Sequence, residues 1–194
     1  MRESVIERKT RETDITVRLD LDGRGEADIR TGVPFLDHML ELFTRHGLFN
    51  ITVSARGDLE TGYHHTVEDV GICLGKAFAE ALGDKRGINR FGEATVPMDE
   101  ALVSVSLDLS GRFYLVYKPG IRKIKIGDFN LGLIHEFLKA FAEEAKISLH
   151  INSPYGRDPH HVVEAVFKAW GRAMRAAVSV DPRVEGIPST KGTL

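Results

Sequence analysis

The sequence carries one chemical signature twice, as His64-His65-Thr66-Val67-Glu68 and as His160-His161-Val162-Val163-Glu164. Both copies read His-His-x-Val-Glu, and both open a run of helical spacing. On a helix, positions i and i+4 share a face, while i+1 is turned about 100° away. His64 and Glu68 can therefore bind one metal ion while His65 points toward a different one, and His160, His161 and Glu164 repeat that divergence. A single His pair is commonly an ordinary surface or hydrogen-bonded pair. Here four of the chain's eight histidines lie in the two pairs, each with a Glu at the same offset. Such repetition predicts a two-metal site.

More ligands are needed than two pairs supply. His38 lies in the first helical run of the chain and His135 in the corresponding run later on. His38 to His64 spans 26 residues and His135 to His160 spans 25, so position and spacing match. Each half then offers three His and one Glu: His38, His64, His65 and Glu68, then His135, His160, His161 and Glu164. Mixed nitrogen and oxygen ligation without sulfur favours Mn, Fe or Zn over Ca or Mg. His46 ends the His38 helix and is placed to face the site; His150 reads as an ordinary strand residue.

The elements that must position these residues recur in the same order. Residues 4–10 read as a short edge strand. Ile15, Val17, Leu19 and Leu21 alternate with polar residues, and Asp22-Gly23 predicts a hairpin turn to a strand over 25–30. A helix over 35–45, a strand over 49–55, a loop over 56–62 and a helix over 64–82 follow. Then Val103, Val105, Leu107 and Leu109 alternate, a turn falls at Ser110-Gly111, and Phe113 to Tyr117 returns. A helix over 131–146, a strand over 147–151 and a helix over 160–178 complete the series. Leu19-Asp20-Leu21-Asp22-Gly23-Arg24 matches Leu107-Asp108-Leu109-Ser110-Gly111-Arg112 at an offset of 88, whereas the His-His motifs lie 96 apart. The second copy thus gains about eight residues between hairpin and helix. The expected fold is α+β with two internally duplicated half-domains (1–93 and 94–180), each a mostly antiparallel sheet packed against two helices, followed by a tail over 181–194.

Composition sets the outer bounds. At 194 residues with 42% hydrophobic and 28% charged residues, the chain has an ordinary globular balance and enough length for a buried core. A net charge of −2 gives no reason to expect nucleic acid or an acidic membrane surface. One cysteine, Cys73, rules out an intrachain disulfide framework and fits a reducing cytoplasm. The N-terminal residues lack the apolar region of a signal peptide, and no stretch approaches membrane-spanning length.

Gly32-Val33-Pro34-Phe35-Leu36-Asp37-His38-Met39-Leu40, both His-His-x-x-Glu motifs and Ser189-Thr190-Lys191-Gly192 together resemble the imidazoleglycerol-phosphate dehydratase family, in its monofunctional form. The resemblance covers essentially the whole chain. It implies a lyase of histidine biosynthesis that turns imidazole glycerol phosphate into imidazole acetol phosphate plus water, with two Mn²⁺ per active site. The substrate's imidazole would act as electron sink through a metal-bound imidazolate. It further implies a duplicated α+β unit assembling from trimers into a 24-subunit particle. Transferring the offset of 88 from Glu12 lands on Glu100, so each half begins its hairpin with a Glu; the resemblance makes Glu12 the catalytic acid/base and leaves Glu100 to orient. It assigns the phosphate to Arg90, Arg112, Lys168, Ser189 and Lys191, and places Thr190, His38, His46, His64, Glu68 and His160 against the substrate as well. The rival readings are a binuclear metallohydrolase of a phosphorylated metabolite and a non-enzymatic metal-organised assembly protein.

Overall fold

The computed structural model describes residues 2–121 and 125–194. The first half runs β1 (Glu3–Lys9), β2 (Thr13–Asp20), β3 (Ala27–Arg30), α1 (Pro34–Gly47), β4 (Asn50–Gly57), a 3₁₀ turn (Leu59–Thr61) and α2 (His64–Leu82). The second runs β5 (Phe91–Met98), β6 (Ala101–Asp108), β7 (Tyr114–Lys118), a short β8–β9 hairpin (Lys125–Ile126, Phe129–Asn130), α3 (Gly132–Ala145), β10 (Ser148–Tyr155) and α4 (Pro159–Val178). Two four-stranded sheets result, ordered β1-β2-β4-β3 and β5-β6-β10-β7. Each is antiparallel except for its last pair, β3 with β4 and β7 with β10. This is the expected duplicated α+β architecture.

Local chemistry explains the elements. Along β2 the apolar Ile15, Val17 and Leu19 are buried while Asp14 and Arg18 are exposed, the period of a one-sided strand. Pro34 opens α1 with a backbone angle already suited to a first helical turn. Pro159 does the same for α4 behind the Asp158 cap, whose carboxylate accepts from the His160 N–H at 2.8 Å. α1 and α3 are both 14 residues long and both end on a left-handed residue, Leu48 and Lys146.

Two expectations about strand neighbours are corrected. Asp22-Gly23 does not fold β2 back onto β3, because β4 lies between them, paired antiparallel to β2 and parallel to β3. A Cβ at Gly23 would stand 2.3 Å from the Asn50 backbone nitrogen, so this turn abuts the start of β4. There the Asn50 side-chain oxygen accepts from the N–H groups of Arg24 and Glu26. Likewise β10 separates β6 from β7 beyond Ser110-Gly111. Alternation identifies a strand but not its partner, and a parallel partner requires the crossover that α1 and α3 provide. β5 lies outside the strands expected from alternation, which Gly92 and Pro97 interrupt; a proline is tolerated there because β5 is an edge strand. The hairpins are therefore β1–β2 and β5–β6, and Glu12 and Glu100 each stand one residue before the second strand. β10 also runs on through Ser153-Pro154 to Tyr155, with its register on β6 shifting after Asn152.

The repeat offset varies along the chain. Thr13 to Ala101 is 88 positions, Pro34 to Gly132 is 98, and His64 to His160 is 96. The second half is thus ten residues longer ahead of α3, where β8–β9 lie, and two shorter ahead of α4; the expected gain of about eight is the net. The helices pack across the halves, α1 against α4 and α2 against α3. Phe43, Phe78, Phe141 and Trp170, one from each helix and all fully buried, meet at the centre, with ring centroids 4.0 Å apart for Phe43–Trp170 and 5.4 Å for Phe78–Phe141. Gly171 and Gly75 permit the close crossings: a Cβ on either would lie 2.5 Å from the carbonyl oxygen of Phe43 or Phe141. No described helix is long and apolar enough to cross a membrane.

Candidate metal centre

Packing α1 on α4 carries His38 of the first half onto the second motif. His38 Nε2 lies 3.1 Å and His160 Nε2 3.0 Å from the same oxygen, Glu164 Oε1. Their ligand atoms all fall within 4.8 Å of one another, and among the described residues this is the one such group of three His, Cys, Asp or Glu side chains. Burial would raise the Glu164 carboxyl, but hydrogen bonds from Lys168 and His38, the Lys168 charge and His160 outweigh it and hold the group at about 2. An ionised carboxylate flanked by two imidazole nitrogens fits a divalent transition ion.

The divergence expected within each motif is present. The His64 and His65 ring planes stand at 90° to each other, and those of His160 and His161 at 87°. His64 Nε2 is 3.3 Å from Glu68 Oε2, the counterpart of the 3.0 Å contact between His160 and Glu164 one repeat later. The outward rings find other carboxylates. His65 Nδ1 is 2.9 Å from Asp58 and 3.9 Å from Glu12, and His161 Nδ1 is 2.7 Å from Glu100. These contacts, Asp58 first for His65 and Glu100 first for His161, raise both imidazoles above the usual histidine value. Glu100 is held low, at about 2, by the Asp158 N–H, then His161, with the Arg157 N–H adding to them. Glu12 sits at the β1–β2 tip, its side chain 55% exposed, and its backbone carbonyl accepts from Asp58 N–H.

The match of His135 with His38 is one residue out of helical register. His38 is the fifth residue of α1, and the fifth residue of α3 is Glu136. The His135 Nδ1 is 3.1 Å from Glu136 Oε1, and its ring lies 6.2 Å from that of Tyr117 on β7. Glu136 therefore occupies on α3 the helical position that His38 occupies on α1. Counting from one histidine to the next concealed this; aligning helix with helix reveals it. Asp58 has no repeat mate and left no signal in the sequence.

The residues assigned to phosphate divide into two places. Lys168 lies beside the cluster, its Nζ 2.7 Å from Glu164 and 3.2 Å from Met98 sulfur. His46 is half-buried near Lys168 and Arg172; burial and then those charges lower its basicity, and it does not join the cluster. Arg90 lies at the other end of α4, where its N–H donates to Ala177 O. Its guanidinium grips Asp108 with two bonds, 2.6 and 3.0 Å, and donates a third to Pro188 O at 2.9 Å. The tail is thereby fixed beside Arg90, with Gly87 N–H donating to Gly186 O and Leu194 lying against Gly111, next to Arg112. Ser189, Thr190 and Lys191 follow at once. From His160 to Ala177 is seventeen residues, which at helical rise is about 25 Å. Within one chain the tail and Arg90 do not meet the cluster.

Comparison with known proteins identifies the family and the fold. The family described as imidazoleglycerol-phosphate dehydratase matches residues 31–174. The chain is 58% identical over 193 residues to the imidazoleglycerol-phosphate dehydratase of Geobacter metallireducens, covering 100% of this chain and 99% of that one. It is 56% identical to that of Bacillus velezensis over the full length of both. Among solved structures, the imidazoleglycerol-phosphate dehydratase of Staphylococcus aureus superposes with a TM-score of 0.84 at 36% identity, over 92% of this chain and 99% of that one. The Pyrococcus furiosus enzyme, solved in complex with (S)-C348, gives 0.81 at 38% identity over 97% and 100%. Matched end to end in sequence and in fold, the chain belongs to the imidazoleglycerol-phosphate dehydratase family of hydro-lyases.

Proposed function

We propose that the protein dehydrates D-erythro-imidazole glycerol phosphate to imidazole acetol phosphate in histidine biosynthesis, in the cytoplasm, using two Mn²⁺ per active site. The observation that carries this reading beyond family membership is the His38–His160–Glu164 group, assembled from both halves around one ionised carboxylate. By the repeat, His64 and Glu68 begin a second set, to which His135 of α3 belongs with its neighbour Glu136, while His65 and His161 turn away from the Glu of their own motifs. Bound there, the ions supply Lewis acidity that lets the substrate's imidazole ring accept the electrons released on loss of a proton. The carbon acid is otherwise too weak for a carboxylate to deprotonate. Glu12, standing beside His65 without being spent on it, is the proton carrier.

Phosphate recognition falls to Arg90, Arg112, Lys168, Ser189, Thr190 and Lys191. Arg90 still has one N–H on each terminal nitrogen after binding Asp108 and Pro188. The length of α4 between Arg90 and His160 supports a site completed by a neighbouring subunit, with the outward histidines reaching across. Trimers joined into a symmetric 24-subunit particle would supply such neighbours. The test is Mn²⁺ content per chain measured beside product formation from imidazole glycerol phosphate. Water loss that requires the metal supports the reading, and release of inorganic phosphate instead would assign the chain to hydrolysis.

A further inference from the structure

In a duplicated fold the two hairpin-tip glutamates should do the same thing, and they do not. Glu100 accepts from His161 Nδ1 at 2.7 Å and from the backbone N–H groups of Asp158 and Arg157 at 2.7 and 3.0 Å. The Glu12 carboxylate, among the described residues, has no hydrogen-bond donor; its nearest partner is His65 Nδ1 at 3.9 Å. In the first half the work is done by Asp58, at the end of β4, whose oxygens lie 2.9 and 3.2 Å from His65 Nδ1. Asp58 is itself steadied by the Thr61 hydroxyl at 3.1 Å.

We propose that Glu100 and Asp58 are matched positioning residues, each holding the Nδ1–H of its half's outward histidine so that His161 and His65 offer Nε2 alone to a metal. A neutral imidazole carries a single N–H, and a carboxylate at Nδ1 fixes the tautomer whose Nε2 lone pair is free. Carboxylates in this position orient a ligand ring and raise its basicity. The two inward histidines, His64 and His160, direct Nε2 at their own Glu, so all four rings of the motifs present the same nitrogen. The substitution of Asp58 for Glu12 in this task leaves Glu12 unclamped, which is the condition for moving a proton. The inference rests on the metal reading above and adds this division of labour.

The test strips the protein with chelator and titrates it with Mn²⁺ by calorimetry. Glu100→Ala and Asp58→Ala should each weaken Mn²⁺ binding about 10–100-fold. Glu100→Gln and Asp58→Asn, which keep an acceptor oxygen, should restore most of it, and Glu12→Ala should leave it unchanged. Because Glu100 also takes two backbone N–H groups, the decisive comparison is a cycle with His161→Ala. If Glu100 acts through His161, its alanine variant costs no further affinity in that background. The same loss in both backgrounds would overturn the proposal at Glu100, and Asp58, whose side chain takes His65 and Thr61, is then judged by its own cycle with His65→Ala. Unchanged Mn²⁺ affinity in both alanine variants would overturn the clamp while leaving the metal centre standing. An unaltered chain that binds no Mn²⁺ would overturn both.

Discussion

Glu12 and Glu164 show how one residue type meets opposite environments in one chain. Glu12 is half-exposed and unclamped, so Glu12→Gln should leave Mn²⁺ content and assembly intact while lowering kcat about 10²–10⁴-fold, the usual share of general acid–base catalysis. Steady-state turnover with metal analysis checks this, and near-normal kcat would remove Glu12 from the chemistry. Glu164 is buried and held at about 2, well below the ordinary glutamate value of 4.5. A depressed carboxyl contributes stability above its unfolded value and loses it as pH falls toward the folded one. In metal-free protein, thermal midpoints of wild type and Glu164→Gln should therefore differ most above pH 4.5 and converge as pH drops toward about 2. The His-His-x-x-Glu pairs of the candidate site were legible in the sequence, because i, i+4 spacing and repetition are visible there. The helical register of Glu136 with His38 was not, since a more conspicuous histidine stands beside it, and the contact of Asp58 with His65 was not, since nothing repeats it.

Elements, rather than residues, decide which ligands meet. Helical spacing located all four long helices to within a residue or two, and the burial of one face explains why. Partners were less legible: β4 and β10 insert between strands that sequence order would make neighbours, and Pro97 hid β5. The crossing of α1 with α4 was wholly invisible, yet it brings His38 to Glu164. Gly171 sets that crossing, since a Cβ there would lie 2.5 Å from Phe43 O and 3.1 Å from Gly47 N. Gly171→Ala must part the helices or strain the backbone, at a cost of about 1–3 kcal/mol. Gly75→Ala, facing Phe141 O at 2.5 Å, should cost a similar amount at α2–α3. Chemical denaturation of both variants measures this; a loss smaller than about 0.5 kcal/mol would mean the helices shift freely at the crossing.

At the scale of the whole molecule, the single chain holds the His38–His160–Glu164 group at one end of α4 and its tail and Arg90 at the other. A site shared between subunits can be tested by mixing two inactive variants, one with His64 and His65 changed to Ala and the other with His160 and His161 changed to Ala. If a site draws the first motif from one chain and the second from its neighbour, random co-assembly should restore about a quarter of the sites. Activity absent from demonstrably mixed particles would place each complete site within one chain.

The pairing of α1 with α4 and of α2 with α3 has a consequence for ancestry. Each repeat's helices rest on their own sheet but leave a face that only the other repeat covers, so a free-standing half of this length would have to associate with its twin. The same logic holds today. A chain cut between Gly83 and Ile88 should yield two pieces that are insoluble when expressed apart and recover a compact, metal-binding protein when expressed together.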